Sequence, residues 1–206
     1  MLGLLGKKIG MTQVYDKDGK VVPVTAVEAG PCFVLQIKTK DSDGYSAVQV
    51  GFGKKRHPSK ALAGHAGKAK VAQVPMHIKE FRMPDVASFQ LGQEINVSSL
   101  KEGDMVTVSG ISIGKGFAGT VKRWHFNRGP MTHGSKAHRR PGSSGAGSTP
   151  GRVLPGTRRA GKMGSNRVTV KNVKVVRVDQ AKNLLLLAGA VPGPDENLLE
   201  IIKPGK

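Results

Sequence analysis

Two glycine-punctuated stretches and six histidines are the features of this sequence whose residue types and spacing invite chemistry. Gly114-Lys-Gly116-Phe-Ala-Gly119 fits the G-x-G-x-x-G pattern of dinucleotide sites and stands between a strand-like run and a possible helix. A dinucleotide fold also needs a βαβ unit and a carboxylate about 20 residues on for the ribose hydroxyls. At that distance the chain reads HGSKAHRR, with no acid. Gly156-Thr-Arg-Arg-Ala-Gly161-Lys162-Met163 comes close to a P-loop, but Met163 stands where the magnesium-binding hydroxyl belongs. No Val- or Ile-rich strand precedes it and no acid lies nearby. Nucleotide cofactor and hydrolysis readings therefore fail on chemistry.

The histidines are His57, His65, His77, His125, His133 and His138. Only His133 and His138 are close in sequence, at a spacing that suits no common zinc pattern, and their neighbours are cations rather than Cys or carboxylate. Hydrogen bonding to or stacking on RNA fits them better. A paired-carboxylate or Ser-His-Asp site has no readable location, because the acids cluster in turns while the histidines lie elsewhere. We expect no catalytic residue, no metal, no cofactor and no small-molecule substrate.

Charge is the strongest signal. The 206 residues carry 33 Lys and Arg against 14 Asp and Glu, a formal charge of +19. No acid occurs between Asp43 and Glu80 or between Asp104 and Asp179, and these two windows hold 22 of the 33 basic residues and every histidine. Solvated surfaces mix their signs, so an external polyanion is expected to supply what these windows lack. No stretch approaches the roughly 18 apolar residues of a membrane span, so no membrane partner is expected. The opening MLGLLGKKIG is too short, and too broken by Gly3 and Gly6, to read as a signal peptide. With Cys32 as the sole cysteine, a reducing, cytosolic setting is expected.

The stretch GSKAHRRPGSSGAGSTPGRVLPGTRRAGKMG, residues 134–164, concentrates the problem. Ordering a backbone costs roughly 1–2 kcal/mol per residue, and this segment has too few apolar side chains to recover it by burial. Threading between RNA helices would order it: Arg and Lys meet phosphates, glycine permits close approach, and prolines 130, 141, 150 and 155 limit the freedom to be lost. Trp124, in VKRWHFNRGP, is open to two readings: stacking on unpaired bases, or joining Phe126 as an apolar foot that fastens the segment to a core.

What positions these residues is β structure. Short runs rich in Val, Ile, Leu and Thr, separated by turn signals at Asp18-Gly19, Asp43-Gly44, Glu102-Gly103 and Pro192-Gly193, predict a mainly β chain with an antiparallel β-barrel core and short helices. Helices are expected near Ser59 to Lys70 and near Phe117 to Trp124. The barrel is expected to be discontinuous, built from 1–53, 86–114 and 167–206. A basic insertion with a short helix occupies 54–85, and a long basic loop extension occupies 115–166.

The motifs GLLGKKIGMTQ, PVTAVEAGPC, DGYSAVQVGFG, GKGFAGTVKRW, THGSKAHRRPGS, STPGRV, AGKMG, RVTVKNVKVVRVD and NLLLLAGAVPG run in one order along nearly the whole chain. In this the chain closely resembles the bacterial-type third-protein (uL-three) family of the large ribosomal subunit. The resemblance implies a surface β-barrel and an extension buried in large-subunit ribosomal RNA, its tip near the peptidyl transferase centre. It further implies an early role in subunit assembly, neighbouring large-subunit ribosomal proteins as partners, a cytoplasmic ribosomal location and no catalysis. By motif, the tip would be Trp124 to Gly129 and His138 to Pro150. Phosphate-facing positions would include Lys115, Lys122, Arg123, Arg139, Arg140, Arg152, Arg158, Arg159 and Lys162. The expected RNA-binding set also takes in Trp124, His125, Arg128, His133, Lys136, His138 and Arg167. Some relatives carry a methylated glutamine before the Thr-Pro-Gly of this loop; here that position is Ser148.

Overall fold

The computed structural model describes residues 3–204; positions 1–2 and 205–206, which the sequence reading assigns to the β core, lie outside the described residues. In chain order the strands are β1 (Gly3–Tyr15), β2 (Val21–Ala29), β3 (Cys32–Lys38), β4 (Ala47–Phe52), β5 (His77–Arg82), β6 (Glu94–Ile95), β7 (Met105–Ile111), β8 (Phe117–Ala118), β9 (Gly161–Lys162), β10 (Arg167–Asp179), β11 (Leu184–Ala188) and β12 (Leu198–Ile202). The helices are α1 (Lys40–Asp43), α2 (Lys60–Lys68) and α3 (Thr120–Trp124). The chain divides into two compact units, one formed by residues up to Ser112 together with those from Arg167 onward, the other by Ile113–Asn166.

In the first unit a closed antiparallel barrel runs β1-β12-β7-β10-β11-β2. Its interior is filled by period-two alternation, since successive side chains in a strand point to opposite faces. Val106 and Val108, Val173 and Val175, Leu185 and Leu187, Leu199 and Ile201 are all buried. Four consecutive leucines, 184–187, look alike in sequence, yet the pleat buries only Leu185 and Leu187. The β1–β2 hairpin turns at Asp16–Lys20, where the Gly19 amide donates to the Asp16 carbonyl. β10 bends at Asn172, whose φ of 58° coincides with a register shift between Val170 and Val173, a bulge that re-aims the strand between its two partners.

The expected antiparallel barrel core forms, and a second sheet, ordered β5-β4-β3-β6, adds Cys32, Val34, Val48, Val50, Phe52 and Phe81 to the same continuous core. Two expectations need revision. Residues 77–82, expected within a basic insertion, are a strand of that sheet. HIKEFR offers only one buried side chain, Phe81, so its periodicity is too weak to read without its partner β4. The first helix forms as expected, with Ser59 capping it by accepting from the Leu62 amide. The second shrinks to Thr120–Trp124, because Phe117 and Ala118 instead pair with Lys162 and Gly161.

The first unit neutralises much of its own charge. Lys7 pairs with Glu196, Lys38 with Glu80, Lys203 with Asp104, and Glu200 takes both Lys79 and Arg167. The Lys38–Glu80 hydrogen bond lowers the Glu80 pKa and raises that of Lys38, and Tyr45 adds to both by accepting from Lys38 and donating to Glu80. Glu200 on β12 joins the two sheets: its oxygens lie 3.1 Å from Lys79 Nζ on β5 and 2.5 Å from Arg167 Nη2 on β10. Burial alone would push the Glu200 carboxyl up, but hydrogen bonds from Arg167 and Lys79 outweigh it and hold the pKa below the usual carboxylate value.

A depressed carboxyl contributes stability that is present above its unfolded pKa of about 4.3 and lost as pH falls through its folded value. Glu200→Gln should therefore lower the stability of the free protein at pH 7 by about 1–2 kcal/mol, the scale of a charge-assisted hydrogen-bonded pair. The difference between the two proteins should shrink below about pH 4. Urea titrations at pH 7 and pH 3.5 measure it, and a pH-independent difference would count against this assignment.

Candidate nucleic-acid interface

Residues 113–166 contain eleven Lys and Arg and no Asp or Glu. Their base is a narrow stem. The Lys115 amide donates to the Met163 carbonyl and the Met163 amide to the Gly116 carbonyl, each at 2.9 Å, followed by the β8–β9 pairs Phe117 with Lys162 and Ala118 with Gly161. The G-x-G-x-x-G stretch is thus one side of a hairpin stem, and the Lys115 amide is used by the ladder rather than offered to an anion. Its partner strand needs Gly164, which sits at φ 75° and where a Cβ would run into the Ile113 carbonyl.

Above the stem α3 makes a single turn, closed by the Arg123 amide on the Gly119 carbonyl and ended by His125 at φ 58°. Trp124 then does something that neither sequence reading proposed. Its indole N–H donates to the Arg159 carbonyl at 2.9 Å, and Arg123 Nη1 donates to the same oxygen at 3.0 Å. The guanidinium groups of Arg123 and Arg158 lie 5.0 and 5.5 Å from the Trp124 ring centre. An exposed cation–π contact gives about 0.5–1 kcal/mol. Trp124, 37% exposed, ties the outgoing and returning limbs of this unit together.

Beyond this knot, local backbone bonds shape the loop. The Gly129 amide donates to the His138 carbonyl, and a Cβ at Gly129 would collide with the Ala137 carbonyl. His138 Nδ1 lies 2.9 Å from the Pro130 carbonyl and so must carry a proton there. His133 adopts φ 56°. Residues 141–158 are all exposed, and no residue from 121 to 169 is buried. Conformational entropy is therefore not offset by burial anywhere in the loop.

Lys122, Arg123 and Trp124 lie on α3, with His125 at its end, while Lys115, Arg158, Arg159 and Lys162 gather at the stem and knot. Arg128, His133, Lys136, His138, Arg139, Arg140 and Arg152 spread along the loop, exposed except for half-buried His138. Arg167 stands apart: it belongs to the barrel, and Glu200 holds its guanidinium. Sequence reasoning passed over Phe117, which is 81% exposed on β8. Its position inside a glycine motif drew attention to the glycines, and only the pairing with β9 shows which way it faces.

The family model described as ribosomal protein L3 matches residues 82–186. The large ribosomal subunit protein uL3 of Synechococcus sp. (strain JA-3-3Ab) is 53% identical over 202 residues, covering 97% of this chain and 94% of the relative. That of Picosynechococcus sp. (strain ATCC 27264 / PCC 7002 / PR-6) is 54% identical over 203 residues, covering 97% and 95%. That of Trichormus variabilis (strain ATCC 29413 / PCC 7937) is 50% identical over 207 residues, covering 100% and 98%.

The knot yields a measurable expectation. Trp124→Phe keeps an aromatic ring but removes the indole donor, a loss of about 0.5–1.5 kcal/mol. Amide exchange at 115–118 and 161–163 should quicken roughly 2- to 10-fold while exchange in β10 and β11 is unchanged. Unchanged protection at the stem would show that the indole bond does not hold it.

Proposed function

The chain belongs to the ribosomal protein L3 family, and we propose that it is a non-enzymatic structural constituent of the large ribosomal subunit that binds large-subunit ribosomal RNA through its 115–166 segment. The observation that carries this is the loop's composition in its folded setting: eleven cations, no carboxylate and no buried side chain from 121 to 169. Such a segment gains little order from burial beyond its stem and knot, and RNA phosphates supply both the missing charge and the missing contacts. The barrel and its second sheet provide a foldable body, and the loop provides affinity. Lys115, Lys122, Arg123, Arg128, Lys136, Arg139, Arg140, Arg152, Arg158, Arg159 and Lys162 are the phosphate contacts; Arg167, already paired with Glu200, is left out.

In this reading, which follows the resemblance, the loop organises RNA near the peptidyl transferase centre and the protein acts early in subunit assembly. The partners are ribosomal RNA and neighbouring large-subunit proteins, and the location is the cytoplasmic ribosome. No bound cofactor is needed for any of this. Among the described residues no helix is long and apolar enough to cross a membrane.

Deleting Ser135–Gly161 should leave the β body folded, with an unchanged β circular-dichroism signal, yet remove most affinity for protein-free large-subunit RNA. For the intact chain log K should fall with log salt by about 0.7–0.9 per phosphate contact, and the deletion should flatten that slope. Filter binding across a potassium chloride series measures both quantities, and a deleted protein that binds like the intact one would overturn the assignment.

A further inference from the structure

We propose that Phe117 and Lys162 form a one-nucleotide grip on the stem, in which the Phe117 ring stacks on an unpaired RNA base and the Lys162 ammonium meets a phosphate flanking that base. This rests on the rRNA-binding reading above and deepens it, since it assigns a place where a base, and not only a backbone, is held.

Phe117 is the most exposed of the large hydrophobic side chains among the described residues. Its neighbour Ala118 is buried, so the two-residue strand has an inner and an outer face, and Phe117 lies on the outer one. Lys162 is directly opposite it in the antiparallel pair. Opposed residues share a face, with Cβ atoms about 4.5–5.5 Å apart, so the ring and the ammonium project together. The side chain of Lys115, two positions before Phe117, is exposed as well. A flat apolar ring beside one mobile cation, in a unit without a carboxylate, matches a nucleotide, which offers a π face and an anion from one residue. Duplex bases already have both faces stacked, so the ligand is an unpaired base in a loop, bulge or end.

The other aromatic side chains of this unit are less available. The Trp124 N–H is committed to the Arg159 carbonyl with two guanidinium groups near the ring, and Phe126 is half-buried. Among the Phe and Trp side chains of the unit, Phe117 has the most open ring.

The test compares the full-length chain with Phe117→Ala, Phe117→Leu, Phe117→Tyr and Lys162→Gln, by filter binding to protein-free large-subunit rRNA over a potassium chloride series. Circular dichroism and Trp124 emission check that each variant is folded. Base–aromatic stacking predicts that Phe117→Ala binds roughly 5- to 100-fold more weakly with an unchanged salt slope. Phe117→Tyr should bind like the parent, and Phe117→Leu, apolar but not planar, should be as weak as alanine. Lys162→Gln should reduce the slope by about 0.7–0.9, as one lost phosphate contact does. Full affinity in Phe117→Ala, full affinity in Phe117→Leu, or a slope change on removing the ring would each overturn the grip while leaving the rRNA-binding reading in place. Failure of the parent chain itself to bind rRNA would overturn both.

Discussion

Positive charge that cannot be neutralised from within its own unit governs this molecule. Eleven cations share residues 113–166 with no carboxylate. Screening at physiological salt acts over about 8 Å, so adjacent pairs such as Arg139-Arg140 and Arg158-Arg159 still repel one another. Arg123 and Arg158 are both drawn to the Trp124 ring, and the attraction each gains, about 0.5–1 kcal/mol, is of the same order as the repulsion between two cations several ångströms apart in water. The knot therefore holds by a small margin, aided by two hydrogen bonds to one carbonyl. An anion nearby would attract both cations and so offset their mutual repulsion, which is why charge and function are one subject here.

The first unit draws its buried core and its ion pairs from its own residues. Strands β11 and β12 alternate cleanly, and four of its carboxylates pair with its own cations. The β7–β10 ladder begins at Ile111 paired with Arg167, so strand pairing itself brings together the positions that flank the loop. Loop-closure entropy grows only with the logarithm of length, and the ladder meets that cost once. A long cationic insertion at this site is thermodynamically mild, whereas the same residues spliced into β10 would disrupt two ladders.

Much of this is legible in the sequence, and the reason differs by element. Leu184–Leu187, Val106–Val108 and Leu199–Ile201 carry hydrophobicity strong enough to announce strands, and the acid-free windows are a matter of counting. What escaped was everything that depends on a distant partner. HIKEFR is a strand because β4 pairs with it, and Phe117-Ala118 is extended rather than helical because Gly161-Lys162 returns beside it. The split of the β structure into a barrel and a second sheet likewise follows from long-range pairing, to which local propensity is blind.

Trp124 and Phe117 show how chemistry sorts two aromatics in one cationic setting. Indole carries a donor that seeks an acceptor when partly covered, and the one it uses, the Arg159 carbonyl, lies on the returning limb. Tryptophan at that position thus becomes a fastener between limbs. Phenylalanine has no donor, so no carbonyl in the loop can recruit it, and the pleat aims it outward while Ala118 fills the inner face. Its exposure is a cost in an isolated protein. Only a ligand that is planar, apolar on its faces and anionic at its margin relieves that cost without introducing an unpaired charge, and a nucleotide has that constitution.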